Sequence, residues 1–197
     1  MPLVSFEQLI LEAKANNVIS FPTDTVPGVA VRPDYAHKIY ELKQRSPDKP
    51  LILMAASLEE VWEYVVGTES EKEAWRAIAD TYWPGALTLI LPASDKVSDA
   101  IHPNNPGTVG VRVPDLEIAR EILAHTGVMA TTSANLSGQP PIEFTTAIAQ
   151  TFSELAVLDC QEQEKFGKIG SGSPSTVMQW QVNGEWTVLR QGNVSLD

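Results

Sequence analysis

Four of the 14 basic residues fall between positions 38 and 49, namely Lys38, Lys43, Arg45 and Lys49, in a chain whose formal charge is -11. Lys43, Arg45 and Lys49 sit at an expected helix end and in the turn before a buried strand, where long cationic side chains can converge on a polyphosphate. The same placement would equally complement the helix dipole. Arg112 stands inside TVGVRV (108–113), and a charge among β-branched residues must face water or be paired, because an unpaired buried charge is costly. Its partner is either a ligand carboxylate or phosphate or an internal acid. Arg190, before Gln191-Gly192, poses the same choice, with an exposed strand end as the alternative. Ser133, Ala134 and Asn135 follow the apolar segment VMAT (128–131), where small hydroxyl and amide groups at a strand's carboxyl end can hydrogen-bond a ligand or simply close a turn. Thr23-Asp24-Thr25 and Ser175-Thr176 carry the same ambiguity.

Other chemistries are absent as motifs. No GxxxxGK[ST] loop occurs, and GSGSPS (170–175) lacks the third glycine of a dinucleotide fingerprint. His37, His102 and His125 have no second ligand at i+3 or i+4 and no cysteine pair, which argues against zinc. There is no GxSxG elbow. The lone Cys160 cannot form an internal bridge, which fits a reducing compartment or simply a small buried apolar residue. Seven acids against two bases between 59 and 80 read as a solvated face. A sequence pI near 4.7 disfavours nucleic acid and anionic membranes unless positive charge is concentrated locally. No run approaches the ~18 apolar residues of a membrane span and no basic flank precedes an apolar run at the N-terminus, so the expected location is the cytoplasm, with no membrane partner.

The elements that must position these residues follow from periodicity. With 197 residues and 43% hydrophobic content, the chain reads as one α/β-sized domain. Ser5 and Gln8 predict a capping box opening a helix over 5–16. VISF (18–21) is a short buried strand broken by PTDTVPG (22–28), a site candidate. Asp34 is expected to cap a helix ending at Ser46-Pro47, ahead of a strand at 51–56. Ser57 with Glu60 starts another helix, and 69–82 is helical. ALTLIL (86–91) and TVGVRV are strands, Pro114-Asp115 opens a helix through Leu123, and the stretch 92–107 is either a loop over a site or an inert connection. VMQWQV and EWTVLR flank Asn183-Gly184, a two-residue hairpin signal. Early strand–helix alternation and a late hairpin favour an α/β fold, a twisted mixed sheet with helices packed on it.

Taken in order, FPTDTVPG, the KQRSPDKPL run, WPGALTLIL, TVGVRVP, the SAN of ATTSANLSG, SPSTV and the closing LRQG resemble the YrdC-like threonylcarbamoyl-AMP synthase family, from about residue 4 to 192. The resemblance implies a YrdC-like fold, an open, twisted mixed sheet with flanking helices around one central electropositive cavity, with 1–197 as a single domain of the short type. It implies that ATP, L-threonine and bicarbonate (or CO2) become threonylcarbamoyl-AMP and pyrophosphate, the first step of threonylcarbamoyladenosine modification of tRNA next to the anticodon. The tRNA is met only through downstream transfer proteins. Every substrate piece is anionic, so catalysis would rest on positioning and charge neutralisation rather than a covalent nucleophile.

Residue by residue, the resemblance implies that Thr25, Arg112, Thr131 and Ser175 hold threonine. Arg45 and Lys49 would meet the ATP phosphates with Lys43 nearby, these three being the catalytic set. Thr108, Ser133, Asn135, Pro141 and Arg190 would complete the ATP site. Mg2+ is expected on the triphosphate, bound through phosphates, with no dedicated carboxylate cage and no organic cofactor. Pro27 stands where the family usually has tyrosine and Met54 where some members carry histidine, which bears on amino-acid selectivity. Two alternatives use the same cations: an RNA-binding or ribosome-associated module, and a carbamoyl-adenylate domain with another acceptor. The overall acidity, and the lack of aromatics beyond Tyr40 in residues 38–50, argue against the RNA module.

Overall fold

The computed structural model describes residues 3–104, 107–165 and 167–195. In chain order the elements are β1 (Leu3–Val4), α1 (Phe6–Lys14), β2 (Ile19–Phe21), β3 (Gly28–Val31), α2 (His37–Lys43), β4 (Ile52–Met54), α3 (Leu58–Trp62), α4 (Glu69–Tyr82), β5 (Leu87–Pro92), β6 (Thr108–Arg112), α5 (Glu117–Thr126), β7 (Met129–Ser133), α6 (Thr145–Thr151), β8 (Ala156–Leu158), α7 (Gln161–Glu164), β9 (Thr176–Trp180) and β10 (Trp186–Arg190). The strands form one mixed sheet in the order β1-β8-β2-β3-β7-β4-β6-β5-β9-β10. Its parallel pairs are β1/β8, β8/β2, β4/β6 and β5/β9.

Strand periodicity divides the sheet's two faces. On β6, Val109 and Val111 enter a core with Leu87, Leu89, Leu91, Leu53 and the α4 residue Trp75. The alternate residues Thr108, Gly110 and Arg112 face a cavity on the other side. That second face is covered at the β2/β8 end by Leu9, Ile10 and Ala13 of α1 and Ala119, Ile122 and Leu123 of α5. Farther along it, β7, β4, β6, β5 and β9 present their side chains to the cavity instead.

Several expectations need correction. Ser5 accepts from the Gln8 backbone N–H, but the Gln8 side chain donates to Glu12 at 2.7 Å rather than closing a capping box. Asp34 caps nothing: it lies in a 3-10 turn (Pro33–Tyr35), and the N-cap of α2, Ala36, has no side-chain hydrogen bond. That helix ends at Lys43, where Gln44 turns left-handed (φ 51°). The helix expected from Pro114 begins at Glu117 and runs to Thr126. The final hairpin closes not by two residues but by a loop from Gln181 to Glu185, because Trp180 pairs with Trp186. Strands β1, β3 and β8 and helices α6 and α7 lie outside the segments that periodicity predicts. Of the expected loop 92–107, Asn105 and Pro106 lie outside the described residues.

Candidate active site

The cavity, of about 580 Å³, is lined by three guanidiniums (Arg45, Arg112 and Arg190), a set of hydroxyls, and an apolar floor. Cross-strand register assembles it. Met54 pairs with Arg112, and Ile52 pairs with both Gly110 and Thr131. Gly28 pairs with Ser133, while Thr88 pairs with Val177, which is also the partner of Arg190. One row of strands therefore brings together residues that lie about 150 positions apart in sequence, such as Gly28 and Val177.

Arg112 is the most enclosed of the three guanidiniums, 4% exposed. Its Nη2 donates to Asp24 Oδ1 at 2.6 Å, Nη1 to Thr25 Oγ1 at 2.8 Å and Nε to the Gly85 carbonyl at 3.0 Å. The internal-partner reading of this arginine is thus realised by Asp24, whose side chain is 14% exposed. The loop carrying Asp24 is held from outside: Ser171 N–H donates to the Asp24 carbonyl and Gly172 N–H to that of Thr25. Gly170 permits this approach, because at φ 81° a Cβ would strike the carbonyls of Thr23 and Thr25.

Arg190 donates through Nε and Nη2 to the Ser175 carbonyl (3.1 and 2.9 Å) and through Nη2 to its hydroxyl (3.2 Å). That hydroxyl shares a 2.8 Å hydrogen bond with Thr88. Gly192 fits against the Pro174–Thr176 backbone, where a side chain has no room. The closing LRQG therefore aligns Ser175 as well as Arg190. Arg45 donates to the carbonyls of Lys49 (2.8 Å) and Pro50 (3.0 Å). Burial pulls all three guanidiniums below their ordinary pKa, with Asp24 pushing back at Arg112.

The structure separates the other two basic residues from the cavity wall. Lys43 is 1% exposed, and its Nζ lies behind the wall, donating to the Ser133 carbonyl, Thr132 Oγ1 and Asn135 Oδ1. Burial, with Arg45 as a second cause, lowers its pKa to about 7. Lys49 is exposed and does not line the cavity; its contribution is its carbonyl, which holds Arg45. Thr25, Thr108, Thr131, Ser133, Asn135, Pro141 and Ser175 all line the cavity. Of these, Thr131 is 2% exposed and its hydroxyl has no hydrogen-bond partner. Met54 lines the floor beside Phe21 and Val26, whereas Pro27 is absent from the wall and offers only its carbonyl, to Ala134 N–H.

Sequence reasoning missed His102, Thr88 and Gln179, which line the cavity as well. Thr88 and Gln179 carry a signal in hindsight, since each alternates with core residues on its strand. His102 carries none: it is placed because the Ile101 carbonyl is held by Leu51 N–H (3.1 Å) and the Tyr40 hydroxyl (2.8 Å). Among the described residues no cluster of three or more His, Cys, Asp or Glu side chains converges as a metal site. Nor is any helix long and apolar enough to cross a membrane.

A mixed α/β sheet holding a cationic, hydroxyl-rich cavity defines a protein that binds anionic small molecules. Residues 12–192 match the Sua5/YciO/YrdC family model, described as "Telomere recombination", and the chain belongs to that family. It is 33% identical to the threonylcarbamoyl-AMP synthase of Vibrio campbellii over 192 residues, covering 95% of this chain and 99% of the relative. The Bacillus subtilis protein of the same name is 40% identical over 134 residues, 64% of this chain and 37% of that one. The crystal structure of Pyrococcus abyssi Sua5 complexed with L-threonine is similar with a TM-score of 0.80 and 29% identity, over 97% of this chain and 56% of that one. The chain thus spans little more than half of that archaeal protein.

Proposed function

We infer that this protein is a threonylcarbamoyl-AMP synthase, converting ATP, L-threonine and bicarbonate to threonylcarbamoyl-AMP and pyrophosphate for tRNA threonylcarbamoyladenosine modification. The observation that carries the reading is the convergence of Arg45, Arg112 and Arg190 on one hydroxyl-lined cavity in a chain of charge -11. The relatives' shared name supports the same reaction.

In this reading bicarbonate gives up hydroxide to become CO2, and threonine's amine adds to that CO2 to form a carbamate, the proton it loses joining the hydroxide as water. A carbamate oxygen then attacks the α-phosphorus in line as the bond to pyrophosphate breaks. The Arg112–Thr25 pair and Ser175 receive the amino acid, its carboxylate sharing Arg112 with Asp24. Arg45 meets the phosphates, with Ser133 and Asn135 on the adjoining wall. Lys43 acts through them as a positioning residue and not by touching substrate. Lys49 is not retained as a phosphate ligand. Mg2+ fits as a passenger of the triphosphate: the free donors on the wall are hydroxyl oxygens such as those of Thr108 and Thr131, hard ligands that can supplement phosphate oxygens. It would supply charge neutralisation there.

The RNA-module alternative needs cations in an exposed row that can follow a backbone, whereas Arg112 is buried and Arg190 is tied to Ser175. The test is pyrophosphate release with each substrate omitted in turn, serine replacing threonine in a further arm. Release that requires ATP, threonine and bicarbonate together supports the assignment. Release indifferent to threonine refutes it, and a preference for serine reassigns the acceptor. Arg45→Ala is expected to lower kcat/KM at least about tenfold, a charge-assisted hydrogen bond being worth about 1.5–3 kcal/mol.

A further inference from the structure

The two edges of the sheet differ. Among the described residues β1 contributes two at one edge, whereas β10 contributes five at the other, with β9 as its neighbour. Natural sheet edges are blunted by short strands, prolines, charges or bulges, because unpaired main-chain groups recruit further strands. In β10 the register shift comes only after Val188, and Trp186-Thr187-Val188 contains neither a charge nor a proline. Gln181 N–H donates to the Glu185 carbonyl at 2.9 Å, and hydrogen-bonded pairs alternate along an antiparallel ladder. Thr187 therefore turns its main-chain groups towards β9, whereas Trp186 and Val188 turn theirs to the open side. The edge is also apolar: Val188 is 45% and Leu189 53% exposed. Trp186 is half-buried against Trp180, their ring centroids 5.1 Å apart, and Trp180 meets Trp75 of α4 at 6.0 Å.

This segment complements itself. With two copies antiparallel about a two-fold axis at Thr187, Trp186 of each faces Val188 of the other, and Thr187 faces Thr187. The outward groups of Trp186 and Val188 then meet reciprocally, in about four main-chain hydrogen bonds. The side-chain pairs are aromatic with β-branched and threonine with threonine, both favourable across strands. Glu185 falls opposite Leu189, so no like charges oppose each other. A slip of the pairing in either direction runs into the loop from Gln181 to Glu185 or the irregularity after Val188, which leaves one register. We propose that the outer edge of β10 is a self-association surface, on which a second copy of this chain pairs antiparallel through Trp186-Thr187-Val188 and joins the two sheets into one. The second copy's indole covers Val188, and the row Trp75, Trp180, Trp186 continues across the axis. The strand that carries Arg190 then lies between two neighbours instead of one. The contact is small, on the order of 1,000 Å² in total, at the low end for specific interfaces, and each copy carries a charge of -11. The dimer is therefore weak, reversible and favoured by salt, which screens the repulsion.

Sedimentation equilibrium of the purified protein from about 5 to about 500 µM should show a monomer–dimer equilibrium with a Kd of about 50 µM. Raising NaCl from about 0.05 to about 0.5 M should tighten it at least about threefold. Val188→Pro removes an outward N–H and no rung of the β9/β10 ladder, so this variant should stay monomeric over the same range. Thr187→Cys reports the register independently of that variant's folding. Facing Cα atoms in such a pair lie ~4.5 Å apart, within disulfide reach, whereas two copies of Leu189 would lie roughly 14 Å apart along the paired strands. Oxidised glutathione should therefore link Thr187→Cys at least about tenfold faster than Leu189→Cys; Cys160 is buried and does not compete. A protein that is monomeric at every concentration overturns the proposal, as does a dimer undiminished in Val188→Pro, a dimer that salt dissociates, or equal cross-linking at 187 and 189. None of these readouts involves turnover, so the outcome stands apart from the synthase reading.

Discussion

Lys43 offers the sharpest quantitative test of the site's construction. Its pKa falls from 10.5 to about 7, chiefly because burial penalises the ammonium form. Between those two values the unfolded chain holds a proton that the folded chain has released. Lys43 therefore makes the protein more stable as pH rises through this window, and that gain is lost as pH falls towards 7. The full difference between the two pKa values corresponds to roughly 5 kcal/mol. Integrating only from pH 7, where the folded lysine is half protonated, to pH 9 gives about 2 kcal/mol. Lys43→Met removes the titrating group while keeping an unbranched chain, at the expense of the bonds to Ser133, Thr132 and Asn135. Urea unfolding of both proteins at pH 7 and pH 9 reads the effect: wild type should gain about 2 kcal/mol on the variant over that interval. If the two stabilities move in parallel, within about 0.5 kcal/mol, Lys43 is not a buried neutral amine near pH 9 and the account of its environment is wrong.

Arg112→Ala should cost the fold about 3 kcal/mol by stranding Asp24, and adding Asp24→Asn should recover part of it; in chemical denaturation, additive single-variant losses would deny the coupling. Thr131→Val removes a buried hydroxyl that has no partner, so thermal unfolding should show a gain of about 1 kcal/mol while kcat/KM for pyrophosphate release falls. A destabilised variant with unchanged turnover would show that this hydroxyl has neither an unmet bond nor a substrate.

What the sequence reveals of this site depends on whether a residue's role is local. TVGVRV alternates visibly, so Arg112 is legible as a charge that must be paired, and its pairing with Asp24 is one of the two outcomes that pattern allows. The hairpin is legible from its turn, although Gln181 and Glu185 extend the loop beyond Asn183-Gly184. Strand β3, GVAV, goes unread because it directly follows the loop 22–28 and both its faces are buried, which removes the alternation that would mark it. Lys43 and Lys49 look equivalent in sequence, yet the left-handed Gln44 reverses the chain between them and turns one under the wall and the other outward. Thr88 and Gln179 belong to the site only through the pairing of β5 with β9, and no single segment announces a parallel neighbour almost ninety residues away.

The same bonds explain why the cavity can be strongly cationic without being loose. Arg45 closes the turn at Lys49 and Pro50, Arg190 fixes Ser175, and Arg112 joins the 24–25 loop to Gly85. Each guanidinium spends part of its donor set on a main-chain carbonyl and presents the remainder inward. Its position is therefore set before any anion arrives, which lowers the ordering cost of binding and aims charge where a reacting phosphate would develop it. A lysine's single ammonium could not divide its donors in this planar, forked way. That limitation explains why the lysine closest to the site is the one placed behind the wall, where it serves three protein oxygens and leaves the cavity to the arginines.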